Sequence, residues 1–216
     1  MSHSPIQNTI GHSVVGWELD LSAPRMGPMP IIVMVAAGLD LLILGVAHLL
    51  IPEVNPLTRP TSDYALGRIG WLTLIGTLAV GIGAIALAIA WRRHPLLAVV
   101  IGVFGVAKIA QPFFLADAFG APATTTGTVH DVLSKLAFYS LPLASVLLVQ
   151  LRWKSGSALP MLGAFALVFF MFGMGVVSPH GYFGLAQRAY LITCSLWMIG
   201  AARASTQRAS AARVSS

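Results

Sequence analysis

Six largely apolar stretches fix what this chain can become, because each is about as long as a bilayer is thick. They are Ile31–Ile51, Ile69–Trp91, Leu96–Leu115, Val132–Leu151, Leu159–Val177 and Phe183–Ala202. A helix rises about 1.5 Å per residue, so about 20 apolar residues cross the hydrocarbon core. Membrane β-strands would alternate over about ten residues, whereas these runs are continuous. The solvent for such a surface is lipid: charged residues make up 9% of the chain, against about 25% in a soluble domain.

The predicted fold is therefore all-α, a six-helix transmembrane bundle over residues 30–202. A segment 1–29 precedes it, and a disordered basic tail 203–216 follows, rich in Ala, Ser and Arg without periodicity. Turn signals punctuate the runs: Pro52, Pro56 and Pro60, then Arg93-His94-Pro95, the Thr-rich loop from Gly120 to Gly127, Ser155-Gly156-Ser157, and Ser178-Pro179-His180-Gly181. The first thirty residues hold Glu18, Asp20 and several Pro and Gly, and do not read as a signal peptide. One cysteine, Cys194, leaves no intramolecular disulfide to form.

Orientation follows from the basic residues. With six spans, both termini share a side with the second and fourth loops. That side carries Arg25, Arg92, Arg93, Arg152, Lys154, Arg203, Arg208 and Arg213, and the positive-inside rule makes it cytoplasmic. Elsewhere Arg59, Arg68, Lys108, Lys135 and Arg188 are matched by Asp40, Glu53, Asp63, Asp117 and Asp131. The net charge of +6 is then an orientation signal and contact with anionic lipid, not a nucleic-acid footprint. A multi-pass protein of the cell inner membrane is expected, with membrane lipid as its partner and a homo-oligomer or a membrane-complex subunit as open assemblies.

Charges inside the spans point to a site. Lys108 lies within the third run, where a charge costs about 2.5–3.5 kcal/mol on insertion scales unless paired. Helix rise puts it about 13 Å, and Asp40 about 16 Å, below the outer ends of their helices, so these two are expected to form an intramembrane pair. Asp131 and Lys135 are spaced i, i+4, with Tyr139 a turn further in. Thr128-Val129-His130-Asp131 reads as a capping box opening the fourth helix. Gln187, Tyr190 and Cys194 form a polar stripe on the sixth, and Arg68 and Arg188 sit at the outer ends of the second and sixth. All should face the bundle interior, since lipid offers no hydrogen-bond partner. Gly76, Gly81, Gly83, Gly102 and Gly105 read as close helix contacts. A salt-bridge network fixing helix register accounts for the balanced charges without any ligand.

Chemistry is less determined. His48, His130 and His180 are weak metal candidates, since they come from separate elements without ligand-pair spacing. No cofactor is expected: phosphate loop, nucleophile elbow and H-E-x-x-H are all missing. The favoured function is binding of a lipid or small anionic amphiphile in an outer-half pocket formed by Asp117, His130, Asp131, Arg188 and Arg68, or a subunit role in a membrane complex. The alternatives are an intramembrane enzyme with His130 and Asp131 as catalytic acid and base, and a small proton-coupled transporter using Asp40 and Lys108. Pro142, read as a break in the fourth span with no counterpart in a repeat, argues against transport.

Several short segments together resemble a known family. They are Ser62-Asp63-Tyr64-Ala65-Leu66-Gly67-Arg68, Phe114-Leu115-Ala116-Asp117, Gly127-Thr128-Val129-His130-Asp131 with Leu136-Ala137-Phe138, and Gly184-Leu185-Ala186-Gln187-Arg188. The chain resembles the bacterial membrane family catalogued as domain of unknown function 998, over roughly residues 30–202. The resemblance implies a six-helix bundle whose pattern is defined by Asp63, Asp117, His130, Asp131 and Arg188. It implies no activity.

Overall fold

The computed structural model describes residues 27–118, 120–152 and 158–214. Arg25 and most of the segment 1–29 lie outside the described residues, as do Lys154 and the Ser155-Gly156-Ser157 turn. Six α-helices follow one another among the described residues: α1 (Pro28–Leu50), α2 (Gly70–Ala90), α3 (Pro95–Ala110), α4 (Thr125–Arg152), α5 (Ala158–Val177) and α6 (Phe183–Val214). Short 3-10 helices, Thr61–Leu66, Gln111–Phe113 and Ser178–His180, sit in the connections. No strand occurs among the described residues. Four helical stretches are long and apolar enough to cross a membrane: Pro28–Leu50, Gly70–Ala90, Pro95–Phe113 and Thr125–Leu151; Met161–Val176 is a shorter apolar helix. The chain is a multi-pass membrane protein.

Local sequence sets the helix ends. Pro28 and Pro95 occupy the first turns of α1 and α3, where a missing N–H costs nothing and the fixed φ favours the helix. The third apolar run leaves α-geometry at Gln111, where Pro112 enforces a 3-10 turn. Pro142 does not break α4, which runs unbroken from Thr125 to Arg152. The missing N–H of Pro142 frees the carbonyl of Phe138 one turn back. The Tyr190 hydroxyl of α6 donates to that carbonyl at 2.9 Å. The tail expected to be disordered continues α6 as helix to Val214; Ala, Arg and Gln are good helix formers, and no Pro or Gly interrupts them.

The helices close a ring. Each packs on its neighbours in sequence, α6 returns to α1, and α6 also touches α2 across the centre. Small residues let backbones approach. A Cβ on Gly81 would stand 3.0 Å from the Gly105 carbonyl, one on Gly83 would stand 2.7 Å from the Ala36 methyl, and one on Gly76 would press on Ile43. Gly102, expected to do the same, has nothing within 4 Å. Leu87, Trp91, Leu97, Leu148, Met198 and Ala201 fill the half of the ring nearest the described chain ends, and the Trp91 indole donates to the Ala201 carbonyl at 3.2 Å. The other, distal end carries the α1–α2, α3–α4 and α5–α6 connections and is polar.

Candidate functional site

Two latches close the distal end, and each joins two of the motif segments. The first binds the α1–α2 connection to the start of α6. Gln187 accepts hydrogen bonds from the Thr61 N–H at 2.7 Å and from the Thr61 hydroxyl at 3.3 Å. Arg188 donates to the carbonyls of Pro56, Arg59 and Gly184 at 3.0, 2.8 and 3.0 Å, and to the Tyr64 hydroxyl at 2.8 Å. Its guanidinium lies 5.2 Å from the Tyr64 ring centroid. Tyr64 is fully buried, and its hydroxyl also bonds His48 Nδ1 at 3.2 Å. Arg59 pairs with Asp63. A Cβ on Gly184 would stand 2.5 Å from the Arg59 carbonyl, so this docking requires glycine. The buried atoms Asp63 Oδ1 and Arg188 Nε have no hydrogen-bond partner among the described residues.

The second latch joins the end of α3 to the start of α4. Thr124, rather than the expected box at Thr128–Asp131, caps α4: its hydroxyl accepts the Gly127 N–H at 3.0 Å. Asp117 fixes Thr124 in turn, accepting its N–H at 2.9 Å and its hydroxyl at 2.7 Å. Those two bonds hold the Asp117 carboxyl below the usual carboxylate range. Gly127 packs directly on that carboxylate, where a Cβ would overlap it. Starting the helix one turn earlier places His130 in its second turn, where Nδ1–H donates to the Phe114 carbonyl at 2.8 Å. A carbonyl only accepts, so a proton sits on Nδ1, and in the neutral ring Nε2 is left as an acceptor.

Between the latches lies a cavity of about 450 Å³, the size that takes a drug-sized ligand. It is layered. Position along the helices orders its lining: Asp117, His130 and Asp131 lie nearest the distal end, which we call the mouth; Lys108, Gln111, Ser134 and Gln187 follow; the floor is Val80, Phe104, Phe138 and Leu191, beside Asp40, Cys194 and Ser195. No residue of α5 lines it. Lys108 Nζ donates to Gln111 Oε1 at 2.7 Å, and Gln111 Nε2 donates to Ser134 at 2.8 Å. Asp40 accepts the Ser195 hydroxyl at 3.0 Å.

The structure thus gathers Asp117, His130 and Asp131 with Asp40 and Lys108 around one space. Asp40 and Lys108 face it without a direct ion pair; among the described residues the salt bridge within 4.0 Å is Arg59–Asp63. Arg188 and Arg68 do not line it. Arg188 is held by loop carbonyls instead, because four acceptors converge at the α6 start, and Arg68 is exposed. Lys135 and Tyr139 point away as well, both exposed on the outer face of α4. The stripe Gln187, Tyr190 and Cys194 is buried within the bundle, at 7%, 1% and 2% exposure. His48, His130 and His180 are dispersed, and no group of three metal-ligating side chains occurs among the described residues. Sequence reasoning missed Thr61, Tyr64, Thr124, Ser134 and Ser195 as members of these networks. The only signal for the first three was their place inside the motif-bearing loops.

No curated protein and no solved structure matches the chain. A family model does, the one described as protein of unknown function DUF998, over residues 34–204. That stretch covers α2 to α5 whole, most of α1 and α6, both latches and the whole cavity lining, and on it the chain belongs to the DUF998 family.

Proposed function

We propose that this protein is a six-span inner-membrane binding protein that holds the polar head of a lipid or small amphiphile in the distal cavity. Both termini face the cytoplasm, and the cavity opens outward. The observation that carries this reading is the cavity's form. It is polar at one end of the bundle, about 450 Å³ in volume, and backed by a packed apolar half. A one-ended space suits binding. It disfavours the carrier reading for Asp40 and Lys108, since its lining includes no residue from the opposite half. A purely structural network would leave the polar groups closed on one another, whereas Lys108 uses one of its three donors.

An anionic head loses support: Arg188 and Arg68 lie off the lining, and Asp40, Asp63, Asp117 and Asp131 outnumber Lys108 on it. The enzyme reading draws on one specific observation, His130 Nε2 left as an acceptor beside Asp131 at the mouth, as a general base requires. Filling the cavity separates binding from architecture. Ser134→Trp should leave the folded, helical protein intact in detergent while native mass spectrometry shows loss of copurifying lipid. Unchanged lipid retention would remove the cavity as the site.

A further inference from the structure

The layering of the cavity specifies the class of head that fits, granted the binding role proposed above. Asp131 is exposed at the mouth and has no hydrogen-bond partner among the described residues, and Asp117 stands beside it. Ser134 lies three residues deeper on α4, so a donor layer begins about 4.5 Å below the carboxylates. Gln187 of α6, 7% exposed, adds a further donor. Its Oε1 is occupied by Thr61, while its amide Nε2 has no partner among the described residues and the side chain lines the cavity. Lys108 has donors to spare at the same level. Asp40, lower on the same lining, balances its charge, so the space below the mouth offers hydrogen-bond donors without net positive charge. Below come apolar side chains of four helices, among them Phe104 and Phe138, with Asp40 and its Ser195 partner at one side.

Cation acceptors, then donors, then a largely apolar floor follow the order of an outer-leaflet amphiphile: ammonium outermost, an ester phosphate or carboxylate one short spacer below, and the tail last. We infer that the cavity takes a zwitterionic, ammonium-bearing headgroup attached to an apolar tail, the chemistry of an aminophospholipid or of a soluble zwitterionic amphiphile. A head with net negative charge meets two carboxylates at the mouth and no excess cation beneath them.

Native mass spectrometry in a neutral maltoside detergent tests this with chain-matched phosphatidylethanolamine, phosphatidylglycerol and diacylglycerol, and with tailless phosphoethanolamine. Phosphatidylethanolamine should be retained about tenfold better than the other two lipids, as a charged hydrogen bond is worth. Asp131→Asn should erase that preference and Asp131→Glu restore it. Single-chain and two-chain phosphoethanolamine lipids, compared with the tailless head, identify the source of the ligand. Equal binding without a tail overturns the amphiphile. Equal retention of all three lipids, or preference for phosphatidylglycerol, overturns the headgroup class while leaving the cavity as a binding site if Ser134→Trp abolishes retention. Retention indifferent to Ser134→Trp overturns both.

Discussion

Single residues at the distal end act through the polar atoms they satisfy, and Asp117 has a sign that can be checked. The Thr124 N–H and hydroxyl favour its ionised form and depress its pKa in the folded state. A depressed carboxyl contributes stability that is present above its unfolded value, near pH 4, and lost as pH falls through the folded value. Hydrogen exchange at the Gly127 and Thr128 amides should therefore lose protection as pH is lowered below about 4. In Asp117→Asn that protection should be weaker at neutral pH and flat over the same range; a wild-type profile in the variant would show that Asp117 does not hold the cap. Arg188 teaches a different lesson. As a lone guanidinium at a helix start it reads as an anion binder, yet peptide carbonyls of a connection more than 120 residues away surround it. Nothing in local spacing distinguishes a phosphate from three converging carbonyls, because both satisfy the same fork of donors.

Helices were legible where hydropathy alone decides and less so where hydrogen bonds decide. All six apolar runs form helices in the expected places. The start of α4 was misplaced by a turn, because two candidate caps, Thr124 and Thr128, lie four residues apart and the choice depends on Asp117 reaching over from α3. Pro142 likewise reads as a break along its own helix. Its effect is absorbed by α6, where Tyr190 donates to the released Phe138 carbonyl and packs edge-on against the Phe138 ring at 5.2 Å. This coupling is measurable. Tyr190→Phe should cost about 0.6–1.5 kcal/mol in detergent. In a Pro142→Ala background, where the new N–H bonds Phe138 within α4, the same change should cost less. Equal losses in the two backgrounds would mean that the hydroxyl does not compensate for the proline.

At the scale of the whole molecule, the ring places the chemistry at one end of the bundle, and topology is the first thing to establish. Cysteines at Thr58 and Ala121, both exposed at the distal end, should react with an impermeant thiol reagent on intact cells in a Cys194→Ser background. One at Arg93, between α2 and α3, should not; the reverse pattern would turn the bundle over. The gathering of ionisable residues toward one end of the bundle was legible from helix rise, since depth along a span is arithmetic. Which cluster members turn inward was not, because rotation about a helix axis is set by packing; Lys135 and Tyr139 share a helix with His130 and face outward. The first latch has a consequence for biogenesis. Thr61, Tyr64 and the carbonyls of Pro56 and Arg59 wait for Gln187 and Arg188, which are synthesised more than 120 residues later. Until the last helix enters the membrane, this connection has unmet polar groups and an unclosed ring. A chain that stops short of the last helix therefore keeps the unmet polar groups of its first loop, so completion of synthesis and closure of the distal end are one event.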